Sequence, residues 1–255
     1  MSFLSKVSLK GKTAIVTGGT KNLGALTVKE LAALGANVVI HYHSSSEKNV
    51  GEKQVEELSK EFGAKAALFA GDLSKPETNE ELFKFADKQF GGADIAINNA
   101  GMVLKKPIEQ VTEDEFDKMV NINTKAAFFF IQSAGKHLKN GGTIISLVTS
   151  LLAAYTPFYG IYQGAKSPVE YFSKAASKEL QSKAITVNCV APGPMDTPFF
   201  YGQETPDSVA FCKSVAIGNR LTKIEDIVPI IRFLATEGYW ITGQTIFASG
   251  GFTAH

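Results

Sequence analysis

The sequence predicts an α/β fold, in which one domain of 255 residues is built on a doubly wound parallel sheet. Three observations support this prediction. Short apolar runs alternate with longer amphipathic stretches along the chain, as strands and helices do in such sheets. The apolar runs are nearly continuous, which is typical of strands that are covered on both faces. A glycine-rich turn joins the first apolar run to the first helical pattern.

The spacing of apolar residues gives the positions of the elements. Seven short apolar runs are predicted to be strands, at 14–17, 38–42, 66–70, 95–98, 143–148, 186–190 and 245–248. Six longer stretches are predicted to be helices, at 24–34, 47–62, 78–90, 113–138, 159–181 and 225–235. No repeat or linker divides them, so residues 1–255 form one predicted domain. Pro168 lies inside the fifth helix and should kink it, because proline removes a backbone hydrogen bond.

Residues 194–218 form an irregular insertion in this pattern. They follow the sixth strand, begin with prolines and a glycine, and contain the cluster Phe199-Phe200-Tyr201. An apolar loop of this length beyond the carboxyl end of a strand is where a substrate lid is expected. The alternative is a packed surface excursion.

The turn after the first strand has the sequence GGTKNLG, from Gly18 to Gly24. Gly18 permits the tight turn and Gly24 allows the helix to pack closely on the strand, so the helix N-terminus offers its N–H groups to a pyrophosphate. Asn22 stands where a third glycine is usual, and asparagine tolerates the left-handed backbone region better than most residues. The turn therefore predicts a Rossmann-type dinucleotide site.

Tyr162 and Lys166 lie four residues apart on the fifth predicted helix and so share one face. A phenol titrates near ~10, and a neighbouring lysine charge lowers that pKa towards the range useful for proton transfer. Such a pair also occurs by chance on helix surfaces. It gains meaning from Thr149 and Ser150, which end the fifth strand upstream.

Several short motifs follow one another in a fixed order along the chain: Thr17-Gly18 to Gly24, Asp72, Asn98-Asn-Ala-Gly101, Asn123, Thr149-Ser150, Tyr162-x-x-x-Lys166, Pro192-Gly193 and Ile241-Thr-Gly-Gln244. In this order they resemble the short-chain dehydrogenase/reductase family over nearly the whole chain. The branch they resemble includes the 3-ketoacyl-carrier-protein reductases and the polyhydroxynaphthalene reductases.

The resemblance implies a role for each of the central residues. Tyr162 would be the general acid that protonates the substrate carbonyl oxygen, and Lys166 would lower its pKa and bind the nicotinamide ribose. Asn123 would hold a water that connects Lys166 to solvent. Its structural alternative is a buried amide that joins two backbone segments, and both roles can coexist. A hydroxyl at the end of the fifth strand would orient and polarise the carbonyl.

Two residues compete for that hydroxyl role. The usual spacing of thirteen residues before the tyrosine leads to Thr149, whereas Ser150 has the usual residue type but lies one place later. Some relatives carry a similar Thr-Ser pair before a shortened loop, so we favour Ser150 and keep Thr149 as its contender.

The end of the second strand indicates which cofactor is bound. An acidic residue there accepts hydrogen bonds from an adenosine 2′-hydroxyl. Here no acid precedes Glu47, and Lys21 in the glycine turn can pair with a 2′-phosphate. We therefore predict NADP(H). The turn and the second strand predict the cofactor-binding residues Gly18, Thr20, Lys21, Asn22, Leu23, His43, Ser44 and Ser45. The resemblance implies that Asp72, Leu73, Asn99, Ala100, Gly101, Tyr162, Lys166, Pro192, Gly193 and Thr197 also bind the cofactor.

Composition limits the remaining classes of function. A net charge of +1 gives no reason to expect nucleic acid or an anionic membrane as partner. Two cysteines are too few for a disulfide framework, residues 1–6 lack a signal-peptide pattern, and no apolar stretch approaches the ~20 residues of a membrane span. The expected location is therefore the cytoplasm. No metal site is predicted, because His41, His43, His137 and His255 lack ligand spacing.

The predicted function is that of an NADPH-dependent carbonyl reductase acting on a hydrophobic or aryl ketone, or on the corresponding secondary alcohol in reverse. The expected surroundings of the substrate are apolar and aromatic: Met102, Val103, Leu151, Leu152, Tyr155, Phe158, Tyr159, Met195, Phe199 and Phe200. A 3-ketoacyl-carrier-protein reductase is the main alternative, with Lys105-Lys106 as a basic patch for the acidic carrier. A non-catalytic NADP-sensing protein is the other.

The helical segments 113–138 and 169–180 are apolar around more of their circumference than a one-sided surface helix. A neighbouring subunit is the natural cover for the second face. The resemblance implies that these segments pair across a two-fold axis and that a second axis completes a homotetramer. A dimer is the simpler alternative, and burial against the chain's own sheet is the third possibility.

Overall fold

The sheet of this protein consists of parallel strands, shown by a computed structural model that describes residues 7–154 and 156–253. Within those residues the strands are β1 (Thr13–Val16), β2 (Asn37–Tyr42), β3 (Ala66–Ala70), β4 (Ile95–Asn98), β5 (Thr143–Leu147), β6 (Thr186–Pro192) and β7 (Thr245–Ala248). Their order is β3-β2-β1-β4-β5-β6-β7. The predicted α/β fold with a parallel sheet is confirmed. The predictions for residues 1–6, Tyr155 and His255 lie outside the described residues.

Helices cover both faces of this sheet. They are α1 (Asn22–Ala33), α2 (Lys48–Phe62), α3 (Pro76–Phe90), α4 (Glu113–Val120), α5 (Ala126–His137), α6 (Gly160–Glu179), α7 (Pro198–Tyr201), α8 (Pro206–Ser214) and α9 (Ile224–Thr236). Every predicted helix has a counterpart, and the differences concern the segment 113–138 and the insertion 194–218.

Two hydrophobic cores lie on opposite faces of the sheet. Ile15 and Val16 are adjacent in β1 and fully buried, but they belong to different cores because successive strand residues point to opposite faces. Val16 shares its core with Leu31 of α1, and Ile15 shares the other with Phe130 of α5. This double burial explains why the strands are nearly continuous apolar runs in the sequence.

The predicted continuous helix over 113–138 is interrupted by a π-helical turn at Asn121–Lys125, which separates α4 from α5. At its end the Ala126 N–H donates to the carbonyl oxygen of Asn121, a bond over five residues instead of four. Thr124 in this turn donates to the Ala165 carbonyl of α6 at 2.5 Å. The turn is thus tied to the helix that carries Tyr162 and Lys166, a contact that sequence periodicity does not report.

Pro168 lies inside α6, which continues from Gly160 to Glu179. Proline leaves the carbonyl four residues earlier, that of Gly164, without its usual donor. The carbonyls on either side receive side-chain donors, since Ser167 Oγ bonds to Gln163 at 2.7 Å and Thr124 bonds to Ala165. The helix therefore continues past Pro168 to Glu179, and the predicted kink stays a prediction.

The insertion 194–218 contains more regular structure than predicted, because α7 and α8 lie within it. Its base is closed by backbone hydrogen bonds: Asp196 N donates to Thr222 O at 2.8 Å, and Thr222 N donates to Pro194 O at 2.9 Å. The insertion therefore begins at the carboxyl end of β6, is held at its base by these hydrogen bonds, and is helical beyond them.

Candidate active site

A cleft of about 760 Å³ opens at the carboxyl ends of the strands, next to the reversal of strand order between β1 and β4. Open α/β sheets bind ligands at such reversal points. Most predicted cofactor-binding residues line this cleft: Gly18, Lys21, Asn22, Leu23, His43, Asp72, Leu73, Asn99, Ala100, Gly101, Tyr162, Lys166, Pro192 and Thr197. Gly193 lines an adjoining pocket instead. Thr20, Ser44 and Ser45 line neither.

The glycine turn has the geometry that a dinucleotide site needs. Gly18 has φ of +59° and Asn22 has φ of +47°, so asparagine does adopt the left-handed conformation here. A Cβ at Gly24 would stand 2.1 Å from the Gly18 carbonyl oxygen, which only glycine avoids. Asn99 after β4 fixes the turn, because its Nδ2 donates to Thr17 O at 2.9 Å.

His41 is a buried residue of this site that the sequence prediction did not include. Its Nδ1 accepts from Gly18 N at 3.2 Å, and its Nε2 lies 3.0 Å from the Gly71 carbonyl oxygen. Burial lowers the pKa of His41 to about 4, with the Gly71 hydrogen bond opposing that shift. The neutral imidazole, protonated on Nε2, therefore links the ends of β1, β2 and β3 and supports the glycine turn.

Glu47 is a second residue that the prediction missed, and it lies in the cleft beside Lys21. Lys21 Nζ bonds to one carboxylate oxygen at 2.6 Å, and Thr20 Oγ1 donates to the other at 2.9 Å. Lys21 and Thr20 therefore both hold an acid of the same chain. Ser44 begins the short 3₁₀ turn Ser45–Glu47, and its hydroxyl accepts from Ser46 N at 3.3 Å.

Tyr162 and Lys166 lie on adjacent turns of α6, and both side chains are buried. Burial raises the pKa of the Tyr162 phenol to about 12, and a hydrogen bond with the Thr149 side chain opposes that shift. Burial lowers the pKa of Lys166 to about 8. The pKa of Tyr162 therefore lies above its ordinary value through burial, opposite to the direction predicted from Lys166, whose charge is not among the causes of the shift. Lys166 Nζ donates to the Leu147 carbonyl at 2.9 Å.

Asn123 reaches this centre from the π-helical turn, a distortion that is frequent at functional sites. Its Oδ1 accepts from Met102 N at 3.1 Å, and its Nδ2 donates to Met102 O at 3.0 Å. The amide thus joins the turn to the segment after β4, as its structural alternative predicts. A Cβ at Gly101 would stand 2.9 Å from Asn123 Oδ1 and 3.1 Å from Lys166 Nζ, so glycine there lets both groups approach one point.

Thr149 and Ser150 are both buried after β5, and both line a pocket that adjoins the cleft. Thr149 precedes the 3₁₀ turn Ser150–Leu152 and accepts from Leu151 N at 3.2 Å. It is also the side chain whose hydrogen bond lowers the pKa of Tyr162. Thr149, at the usual spacing, is thus the hydroxyl that acts on the pKa of the phenol, and our preference for Ser150 as the catalytic hydroxyl stays a prediction.

The adjoining pocket is mainly apolar, with Val103, Leu151, Met195, Phe199 and Phe200 among its lining residues. Its acidic group is Glu204, whose side chain is only 3% exposed. Lys105 Nζ bonds to Glu204 at 2.5 Å, and the hydroxyls of Tyr159 and Ser208 donate to the same carboxylate. Burial raises the pKa of Glu204, but these hydrogen bonds outweigh burial and hold it below the ordinary value.

The residues of the cleft fit a bound nicotinamide dinucleotide. Thr197 Oγ1 is fully buried and has no hydrogen-bond partner, although its residue lines both the cleft and the adjoining pocket. Buried polar atoms are normally paired, so this hydroxyl is suited to a polar group of a ligand such as a carboxamide. Together with the close approach of the chain at Gly24 and Gly101, where a side chain would clash, it supports the predicted cradle.

No group of three or more His, Cys, Asp or Glu side chains that could hold a metal ion occurs within 7–154 and 156–253. Over those same ranges, every helix is too short or too polar to cross a membrane.

Known proteins resemble this chain over almost its full length. A family model described as enoyl-(acyl carrier protein) reductase matches residues 18–253. A structure described as a dehydrogenase from Burkholderia cenocepacia with bound NADP is 48% identical, with a TM-score of 0.94 over 99% of this chain and 97% of that one. A hydroxynaphthalene reductase-like protein from Metarhizium robertsii is 35% identical over 96% of each chain. NADPH-dependent aldehyde reductase 2 from Arabidopsis thaliana, a chloroplastic protein, is 35% identical over 95% of this chain and 94% of its own.

These similarities agree with the fold and with the order of the motifs. The matched region runs from the glycine turn at Gly18 to the last residue that the structure describes, Thr253, and so includes the cleft and the insertion. The chain belongs to the short-chain dehydrogenase/reductase family of oxidoreductases.

Proposed function

We propose that this protein is an NADPH-dependent carbonyl reductase that acts on a hydrophobic or aryl ketone, and on the secondary alcohol in the reverse direction. The observation that carries the proposal is the position of the buried Tyr162 phenol, which lines both the cofactor cleft and the adjoining apolar pocket. A proton donor at the junction of these two spaces is what reduction of a carbonyl requires.

The side chains at this junction divide the work of proton transfer. Tyr162 is protonated at neutral pH and donates its proton to the carbonyl oxygen as negative charge develops there. We assign the orienting hydroxyl to Thr149, because its side chain acts on the pKa of the phenol. Lys166 uses one of its three donors on Leu147 and turns the others towards Gly101 and the cleft. When bound, the nicotinamide cofactor supplies or accepts the hydride.

NADP(H) is the cofactor that the sequence predicts and that two of the relatives bind or are named for. Lys21 provides the cation for a 2′-phosphate, and the unpaired Thr197 hydroxyl provides a partner for the carboxamide. The relatives' names cover different substrates, so the substrate class is argued from the pocket alone. Its lining favours a hydrophobic or aryl carbonyl compound over a sugar.

The geometry disfavours a 3-ketoacyl-carrier-protein reductase, the main alternative. An acidic carrier protein needs basic side chains near the mouth of the pocket. Lys105 is instead bonded to Glu204 at 2.5 Å, and Lys106 is bonded to Glu115 at 2.8 Å. Both predicted lysines are therefore paired within the chain and offer little charge to a partner.

A panel of aryl, alkyl and carrier-linked ketones tests the proposal, with oxidation of NADPH and of NADH followed in parallel. We expect turnover of hydrophobic ketones with NADPH. Tyr162→Phe should abolish turnover while NADP⁺ binding, measured by calorimetry, stays within about twofold of wild type. Turnover of the carrier-linked substrate alone would favour the alternative, and absence of turnover with any ketone would favour a sensing protein. Full activity of the phenylalanine variant would contradict the mechanism.

We also propose that the chain forms a homotetramer. Phe128 of α5 and Tyr171 of α6 are large apolar side chains left exposed on neighbouring helices, as expected of a face that a second copy covers. Trp240, which precedes β7, is 90% exposed and marks a candidate second face. A dimer through α5 and α6 alone is the simpler assembly.

A further inference from the structure

Glu47 is a charged acid held at the end of the cleft where the sequence predicts the adenosine 2′-position. The backbone after β2 passes through a 3₁₀ turn at Ser45–Glu47, which returns the carboxylate towards the glycine turn. There it bonds to Lys21 and Thr20, at 2.6 and 2.9 Å. Burial raises the pKa of Glu47. The hydrogen bonds from Lys21 and Thr20, together with the charge of Lys21, outweigh the effect of burial and hold this pKa below its ordinary value. Glu47 is therefore ionised at neutral pH.

Two carboxylates, Glu47 and Asp72, line the cleft near Lys21. Lys75 acts by charge on Asp72, so Lys21 is the cation beside Glu47. The Asp72 carboxylate already accepts from Ser74 N and Ser74 Oγ, at 3.0 and 2.7 Å. Lys48 next to Glu47 is turned towards Glu52, 3.8 Å away. A 2′-phosphate would thus meet one lysine that is already paired with an acid.

We propose that Glu47 is a specificity-determining residue, which competes with the 2′-phosphate of NADP(H) for Lys21 and so reduces the preference of this protein for NADP(H) over NAD(H). The inference rests on the proposed function, in which the cleft binds a nicotinamide dinucleotide. NAD(H) carries a hydroxyl at the 2′-position and has no phosphate to be repelled. That hydroxyl can donate equally to a carboxylate or to the amide oxygen of glutamine, so the charge of Glu47 acts mainly on NADP(H).

Glu47→Gln is the variant that separates charge from shape. Glutamine has nearly the same volume and can still accept a hydrogen bond from Thr20, but it carries no charge. Glu61→Gln is the matched control, because Glu61 pairs with Lys29 at 2.9 Å between the same two helical regions and does not line the cleft. Glu47→Ala serves as a second variant that also lacks the charge.

Binding of NADP⁺ and NAD⁺ to the full chain is measured by calorimetry, at low salt and at 1 M KCl. We expect Glu47→Gln to bind NADP⁺ about fivefold more tightly than wild type at low salt, because a like charge next to the phosphate has been removed. Binding of NAD⁺ should change by less than about twofold. At 1 M salt, where charges are screened beyond about 3 Å, most of the gain should disappear. Glu61→Gln should match wild type throughout.

Three results would overturn the inference. Weaker NADP⁺ binding in Glu47→Gln would mean that Glu47 positions Lys21 for the phosphate. Equal shifts for both cofactors would mean that Glu47 only supports the turn, and no shift in either would mean that it has no part in selection. Failure of the wild-type protein to bind either cofactor is a different outcome, since it would contradict the proposed function itself. Thermal unfolding of each variant confirms that it is folded before the constants are compared.

Discussion

The carboxylate of Glu204 joins the insertion to two other segments beside the apolar pocket, and removal of its charge should loosen the insertion. Glu204 lies between α7 and α8, whereas its partners come from two other regions: Lys105 from the segment after β4 and Tyr159 from the residue before α6. Lys105 Nζ also lies 5.5 Å from the centre of the Tyr159 ring. One buried charge thus joins three parts of the chain around the pocket.

The size of the effect follows from burial. Breaking a fully buried ion pair costs roughly 3–5 kcal/mol, because it leaves the partner charge without compensation. Lys105 is 19% exposed, so water recovers part of its solvation, and about 2–3 kcal/mol remains. Glu204→Gln keeps the volume and the acceptor for Tyr159 and removes only the charge. The equilibrium for opening the insertion should therefore shift by about 30- to 150-fold.

Hydrogen exchange is the direct measurement of this opening. Protection of the amide hydrogens after Pro206 in α8 should fall about 30- to 150-fold in Glu204→Gln. Glu115→Gln is the matched control: it breaks the pair with Lys106 at 2.8 Å, where both side chains are about one-third exposed, and it should leave α8 unchanged. Unchanged protection in Glu204→Gln, or an equal loss in the control, would show that the cluster does not hold the insertion.

The remaining predictions concern pH, the active-site hydroxyl and assembly. The pKa of Glu204 in the folded protein lies below its ordinary value. The stability that its carboxylate contributes is therefore present above the unfolded-state pKa and is lost as pH falls through the folded-state pKa. Hydrogen exchange of α8 at decreasing pH should show this loss in wild type and not in Glu204→Gln. Thr149→Val should lower kcat by about a hundredfold or more and Ser150→Ala much less, and steady-state kinetics showing the reverse would return the role to Ser150. Light scattering should give four times the 27.4 kDa chain mass, whereas a monomer would refute the proposed interfaces.

Much of the fold and part of the site follow from local patterns in the sequence. Three strands, β3, β4 and β7, have the predicted bounds, because each short apolar run is flanked by polar or glycine residues. The pairing of Tyr162 with Lys166 and the left-handed Asn22 are also local, fixed by helix spacing and by turn chemistry. Such features depend on residues a few positions apart, so they can be predicted without a structure.

Other features depend on which distant segments meet. The ion pairs Lys21–Glu47 and Lys105–Glu204 join residues separated by 26 and 99 positions, and no spacing rule connects them. The π-helical turn at Asn121–Lys125 has the apolar spacing of an ordinary helix, and it is tied to α6 through Thr124. The pKa of Tyr162 likewise reflects burial, which the sequence does not report, more than its neighbour Lys166. The sequence thus determined the sheet, the family motifs and the pairing of Tyr162 with Lys166 through short-range periodicity. Only the tertiary structure decided the ion pair between Lys21 and Glu47 in the cleft, the burial of Tyr162 and the contacts of Glu204 in the insertion, because each arises from long-range packing.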